Sequence, residues 1–201
     1  MRIAVWHNLP SGGAKRALYD QVSGLLKLGH QLESWCPQSA DQEFLRLGDL
    51  IPEHIVEAER VPSSKTKNLW ELAHDAHVQI EAMNRHCERC ARQINHGDFD
   101  VLLAGACMEF GVTAIARYVN LPSVLYLQEP HRSLYEALPR PPWAADDRPS
   151  DWWYSPAELR KAVRRALQVR RNEVQVREEA RNAAAFQTVA CNSLFSRESI
   201  L

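Results

Sequence analysis

No apolar run in this sequence approaches the roughly 18 residues that a membrane-spanning helix needs, so no spanning segment is expected. An excess of charge is missing too. Lys and Arg number 24 against 25 Asp and Glu, a formal net charge of -1, which gives no global pull toward nucleic acid or an anionic surface, so any basic site must be local. Cysteine is sparse: five in 201 residues, odd in number and irregular in spacing, which excludes a disulfide framework and fits a reducing compartment. Neither the three-glycine dinucleotide fingerprint nor the ending of a P-loop occurs, which makes NAD and ATP poor candidates. The first residues enter a strand-like run without a signal-peptide pattern, and the expected location is cytoplasmic.

What is present is an alternation of strand and helix patterns in a chain long enough for one sizeable core. Residues 2–6 are β-branched and aromatic. Residues 7–13 lose any apolar period, and from Ala14 an apolar stripe of Ala17, Leu18, Val22, Leu25 and Leu26 predicts a helix stopped at Gly29. Residues 31–37 read as the second strand of a βαβ unit. Residues 41–50 read as a short helix, 54–58 as a third strand and 61–67 as a polar loop. A long helix is expected over 67–95. Residues 98–106 form a continuous apolar run typical of a strand covered on both faces. A loop at 105–109, a short helix over 110–118, a strand over 122–127, a long helix over 157–185, a strand over 186–191 and a capped final helix complete the series. The expected fold is a Rossmann-like, doubly wound parallel sheet of order 3-2-1-4-5-6 in a single domain over 1–201, with ligands bound beyond the C-terminal ends of the first and fourth strands.

Those ends supply the candidate site. The first amides of a helix have no intrahelical partner and favour an anion. Gly12 and Gly13 let a ligand approach the backbone, and Ser11 is a natural N-cap or a ligand hydroxyl. Lys15 and Arg16 fall in the first turn, where the macrodipole disfavours cations unless an anion is bound. The alternative is that both side chains are solvated on the outer face. Asn8 opens that turn, across the crevice lies the loop from Gly105 to Glu109, and the next strand ends in Gln128, Glu129, His131 and Arg132, a sugar-binding set or a solvated loop. Residues 138–156 gather five prolines with Trp143, Trp152 and Trp153, an excursion that suits an acceptor lid, a shallow membrane contact or a loop folded onto its own domain. The helix that follows carries Arg160, Lys161, Arg164, Arg165, Arg170 and Arg171, which suit an anionic lipid surface or simple solvation.

Among the cysteines, Cys36, Cys107 and Cys191 read as small buried apolar residues. His86, Cys87 and Cys90 form a metal-like cluster, but it lacks a second cysteine pair and lies in a helix, so it reads equally as a buried helical face. No metal is expected.

His7-Asn8-Leu9-Pro10-Ser11-Gly12-Gly13-Ala14-Lys15-Arg16-Ala17, closing with Leu28-Gly29-His30, resembles the start of family 4 (group 1) GT-B glycosyltransferases. The resemblance implies a retaining, metal-independent transfer from a nucleotide-sugar to an acceptor in a cleft between two Rossmann-like domains. It makes this chain the N-terminal, acceptor-side domain, with Gly12, Gly13, Lys15 and Arg16 toward the donor phosphates. Many members carry a histidine six residues beyond the position of Pro122; here that position is Gln128, and the catalytic residues are not assigned. The turn Asn192-Ser193 and its helix resemble the segment before the crossing to the second domain, which carries two glutamates with seven residues between them. No pair here has that spacing, and the helix looks cut short, so the expectation is a fragment inactive by itself whose missing partner is that second domain. Partners are thus a nucleotide-sugar, an acceptor and, through the tryptophans and arginines, the inner membrane face; nucleic acid is not among them. The alternatives are a stand-alone ligand-binding module on the same crevice and another Rossmann-like enzyme of sugar nucleotides.

Overall fold

The computed structural model describes residues 1–59, 69–129, 134 and 156–200. Strands β1 (Arg2–Asn8), β2 (Gln31–Pro37), β3 (Glu53–Val56), β4 (Val101–Cys107), β5 (Ser123–Tyr126) and β6 (Thr188–Ala190) alternate with helices α1 (Gly13–Lys27), α2 (Leu69–His96), α3 (Pro156–Ala183) and α4 (Leu194–Ile200). The strands form one six-stranded sheet of order β3-β2-β1-β4-β5-β6, parallel at every pairing. This is the doubly wound Rossmann-like class, and the order is the expected one. The readings over 61–67 and most of 138–156 lie outside the described residues.

Side chains alternate across the sheet as a pleat requires. Ala4, Trp6, Leu102 and Ala104 enter the larger core with Cys87, Cys90, Ala91 and Ile94 of α2. Ile3 and Val5 point the other way, onto Leu18 and Val22 of α1. Central strands buried on both faces give the near-continuous apolar runs seen in β1 and β4. Trp35 stands edge-on to Phe99 with ring centroids 5.3 Å apart, closing the larger core near the start of β4.

Several local expectations are corrected. β1 runs two residues past Trp6, because His7 and Asn8 stay buried between neighbouring strands. β4 extends through Cys107, so Gly105 belongs to the strand rather than to a loop. Residues 41–50 contain only a 3-10 turn, Leu47–Asp49. Leu45, with φ of 46°, breaks the helical run, although the Asp41 carboxylate caps its start by accepting from the amides of Phe44 at 2.7 Å and Glu43 at 3.3 Å. Residues 110–118 likewise form only the turn Ile115–Arg117. There Gly111, with φ of 64°, folds back on Cys107 in an antiparallel bridge, and Thr113 Oγ1 accepts from the Ile115 amide at 3.3 Å. Cys36 and Cys107 are buried as expected, whereas Cys191 is only half-buried.

Candidate functional site: the crevice at the strand ends

β1 and β4 are neighbours at the centre of the sheet, and α1 and α2 cover opposite faces. The C-terminal ends of the two strands are therefore the switch point at which such sheets bind ligands. The pairing is irregular there: Trp6 faces Ala104 but Asn8 faces Cys107, so β4 carries one extra residue. A bulge of this kind bends the strand and re-aims its last side chains. Asn8 holds the rim together, its carbonyl accepting from the Met108 amide at 2.9 Å. Its side chain, fully buried, accepts from Ser39 Oγ at 3.2 Å and donates to Cys107 Sγ at 3.6 Å. Asn8 is thus engaged in positioning the two loops.

Ser11, Gly12 and Gly13 are exposed at the mouth. Gly12, not Ser11, is the N-cap of α1, and the helix has no side-chain cap. Gly12 adopts φ of 151°, a conformation that side chains disfavour, while a Cβ at Gly13 would meet nothing within 4 Å. The first intrahelical bond is Arg16 N–H to Gly12 O at 3.1 Å, so the amides of Gly13, Ala14 and Lys15 precede the helical ladder and point out of its N-terminus. Gln128 stands beside them: its Nε2 donates to Ala14 O at 3.5 Å, and its own carbonyl accepts from Ser196 Oγ at 3.0 Å. The Ser193 hydroxyl caps α4, accepting from the Ser196 amide at 3.0 Å. The first turns of α1 and α4 therefore meet at the end of β5.

Two of the expected cations separate. Arg16 is exposed, its guanidinium 5.8 Å from the Phe44 ring centroid. Lys15 is fully buried and its Nζ has no hydrogen-bond partner among the described residues. It lies neither on the outer face nor at the mouth, because helical spacing turns it inward with Leu18 and Val22. Burial pushes its ammonium pKa down, against the pull of Glu53, Cys36 and Asp41. Beside it His7 is held below the usual imidazole range by burial, partly offset by its bond to Glu53. Burial pushes the Cys36 thiol up to about 12. Burial would raise the Glu53 carboxyl, but the His7 bond, the His7 and Lys15 charges and a Gly48 backbone bond outweigh it and lower its pKa. The consistent state is a neutral His7 whose Nε2–H donates to an ionised Glu53.

Gly105 is buried against His7 and Leu9. Glu109 is exposed on the rim, its carbonyl accepting from Gln175 Nε2 of α3 at 3.4 Å, and desolvation raises its carboxyl. Glu129 is exposed past β5. His131, Arg132, Trp143, Trp152 and Trp153 lie outside the described residues. His86, Cys87 and Cys90 are a buried face of α2: all three are fully buried, Cys90 Sγ lies 3.4 Å from His86 Nε2, and Cys87 Sγ lies 3.4 Å from Thr113 Oγ1. Sequence reasoning missed the group of His7, Cys36 and Glu53 under α1. Its only trace in the sequence is three polar or ligand-type side chains interrupting strand patterns.

No family model matches the chain, and no curated protein matches it. Solved structures do. UGT89C1 of Arabidopsis thaliana, complexed with UDP, is 15% identical with a TM-score of 0.48 over 96% of this chain and 42% of that one. The spinosyn rhamnosyltransferase SpnG, complexed with thymidine diphosphate, is 16% identical with a TM-score of 0.43, over 66% of this chain and 36% of that one. The calicheamicin glycosyltransferase CalG4 is 15% identical with a TM-score of 0.40, over 92% and 47%. The chain spans less than half the length of each, and the likeness is one of fold alone.

Proposed function

We propose that this chain is the N-terminal, acceptor-side domain of a retaining GT-B glycosyltransferase, using a nucleotide-sugar donor and completed by a second Rossmann-like domain. The observation that carries the reading is the open N-terminus of α1, with Gly12 and Gly13 exposed at the switch point beside Gln128. The resemblance of residues 7–17 and 28–30 supports it. In this mechanism the Gly13, Ala14 and Lys15 amides face the donor diphosphate, and Arg16 supplies its charge from the rim. Lys15 contributes its backbone, not its ammonium. Gln128 and Glu129 meet the transferred sugar or the acceptor. The second domain supplies most donor contacts, so this chain alone binds nucleotide weakly, with Kd of about 1 mM, and does not turn over. Titrating UDP into the nitrogen-15-labelled chain tests this: the Gly13, Ala14 and Lys15 amides shift first. Absence of shifts there at tens of millimolar, or turnover by the chain alone, rejects the proposal.

The acceptor side extends, in the same proposal, to a peripheral membrane contact. Within α3 the residues 159–170 are exposed apart from half-buried Leu167, with Leu159 and Val163 on the surface beside Arg160, Arg164 and Arg165. No described helix is long and apolar enough to cross a membrane, but each cation near an anionic leaflet contributes about 1 kcal/mol. Co-sedimentation with phosphatidylglycerol vesicles at low salt is expected, and Arg160→Glu with Arg164→Glu should abolish it. No sedimentation of the parent chain at low salt counts against the contact.

A further inference from the structure

Between α1 and the sheet, three side chains of ligand type converge from three strands. His7 comes from the end of β1, Cys36 from the end of β2 and Glu53 from the start of β3, and their ligand atoms all lie within 4.8 Å of one another. His7 Nε2 is 3.2 Å from Glu53 Oε1, and Cys36 Sγ is 3.8 Å from the same oxygen. A tetrahedral zinc ion, with bonds of about 2.0–2.3 Å, holds such atoms about 3.4–3.6 Å apart, so the two separations bracket what an ion would impose. The side chains of His7 and Glu53 are 0% and 8% exposed, and Cys36 is fully buried.

We propose that His7, Cys36 and Glu53 form a site for one zinc-class divalent ion, which ties the strand ends together behind the crevice. One nitrogen, one sulfur and one carboxylate oxygen are a borderline donor set that suits zinc or cobalt and is a poor match for magnesium or calcium. Three protein ligands leave the fourth position to water. The surroundings fit on the thiol side, while His7 Nδ1 has no hydrogen-bond partner among the described residues. Gln42 Nε2 donates to Cys36 Sγ at 3.4 Å, an outer bond that also serves a thiolate. On binding, Cys36 releases its proton to solvent, and the imidazole hydrogen moves from Nε2 to Nδ1. Lys15 is the counterweight. Its Nζ, fully buried and without a hydrogen-bond partner among the described residues, acts electrostatically on all three ligands. An ammonium there compensates Glu53 when no ion is bound and repels the ion when one arrives. The site is separate from the proposed donor contacts, and the transfer reaction does not use it.

Cobalt is the probe. The untagged chain, stripped with a chelator, is titrated with Co²⁺ and followed in the visible and near-ultraviolet. One equivalent is expected to bind at micromolar concentration, with intense tetrahedral ligand-field bands and a thiolate-to-cobalt charge-transfer band. Cys36→Ser should remove the charge-transfer band, and Glu53→Gln should weaken binding at least tenfold. Lys15→Met should strengthen it about tenfold, a gain that a hydrogen-bonded cluster with no role in metal binding would not give. Circular dichroism confirms that each variant folds. Failure of the parent chain to bind one equivalent overturns the proposal whatever the variants do. So does a charge-transfer band that persists in folded Cys36→Ser, which would place the ion on another thiol.

Discussion

The two faces of the sheet each bury a histidine among cysteines, and they do so in opposite ways. Under α2, His86, Cys87 and Cys90 share one helical face with Ile94 and pack toward Trp6 of β1. Among the described residues no carboxylate bonds to them, and burial pushes the imidazole down to about 4 and the Cys87 thiol up to about 12. Under α1, His7 and Cys36 meet a carboxylate and a buried lysine. The first group is polar in name only and functions as core. The second keeps charge in the interior, directly behind the strand ends where the crevice opens. The same residue types are inert or poised according to whether an ionised partner is enclosed with them.

The largest expected effect comes from removing that partner. Glu53→Ala leaves His7 without its bond and Lys15 without its opposing charge, and losing one member of a buried charged group costs about 3–5 kcal/mol. Cys90→Ala, on the other face, removes one sulfur and with it the partner of a neutral His86, and should cost about 1–2 kcal/mol. Urea unfolding with a chelator present compares the two. If Glu53→Ala costs no more than Cys90→Ala, the charge under α1 contributes nothing to stability.

Acid should separate the faces next. His86 has an imidazole pKa lowered from 6.5 to about 4, so the neutral folded form contributes stability that is complete above pH 6.5 and is lost as pH falls toward 4. That loss is worth about 3 kcal/mol. His7 is also lowered and acts in the same direction. Glu53, lowered from 4.5, adds its loss only below that pH. His86→Gln should flatten the stability profile between pH 6.5 and 4 in part, leaving the contribution of His7 and the steeper fall below pH 4.5. A mutant profile that matches the parent's throughout would mean that His86 titrates freely.

The contrast also explains what the sequence could and could not reveal. The succession of strands and helices was legible because apolar runs, a stripe of period three or four and a glycine stop each act over neighbouring residues, and the strand order followed from the doubly wound class that succession implies. The turn at the mouth of the crevice was legible for the same reason, from Gly12 and Gly13, but its cap was not: Ser11 reads as the N-cap, and the structure puts Gly12 there with no side-chain cap. His86 and Cys90 attracted notice because they are four residues apart, and helical spacing made them neighbours on a buried face. His7 and Glu53 are 46 residues apart; only the pairing of β2 with both β1 and β3 brings them together, and no local pattern encodes a register. Lys15 was misplaced because a cation in a first turn ordinarily faces solvent. Its inward direction follows from sharing a helical face with Leu18 and Val22. The short helix expected at 41–50 is broken by Leu45 in a left-handed conformation, and that at 110–118 by Gly111 and Thr113, which offer the backbone other partners.

The smallest effect, and the sharpest division between a glycine kept for the fold and one kept for a ligand, lies at the mouth itself. Gly12 has φ of 151°, so Gly12→Ala forces a strained backbone and should cost about 1 kcal/mol or more. Gly13 opens α1 in ordinary helical geometry, and no atom lies within 4 Å of the place an alanine methyl would take, so Gly13→Ala should stabilise the chain by about 0.5 kcal/mol through the loss of unfolded-state freedom. If Gly13 serves neither the fold nor a ligand, the variant is simply improved. If it is there so that a phosphate can approach the amides, the same variant gains stability and loses the UDP-induced shifts at Ala14 and Lys15. Thermal melting and the UDP titration on one sample separate the cases. A more stable Gly13→Ala that still binds UDP as the parent does removes the ligand-based reason for this glycine, while a less stable one that still shifts fully marks it as structural.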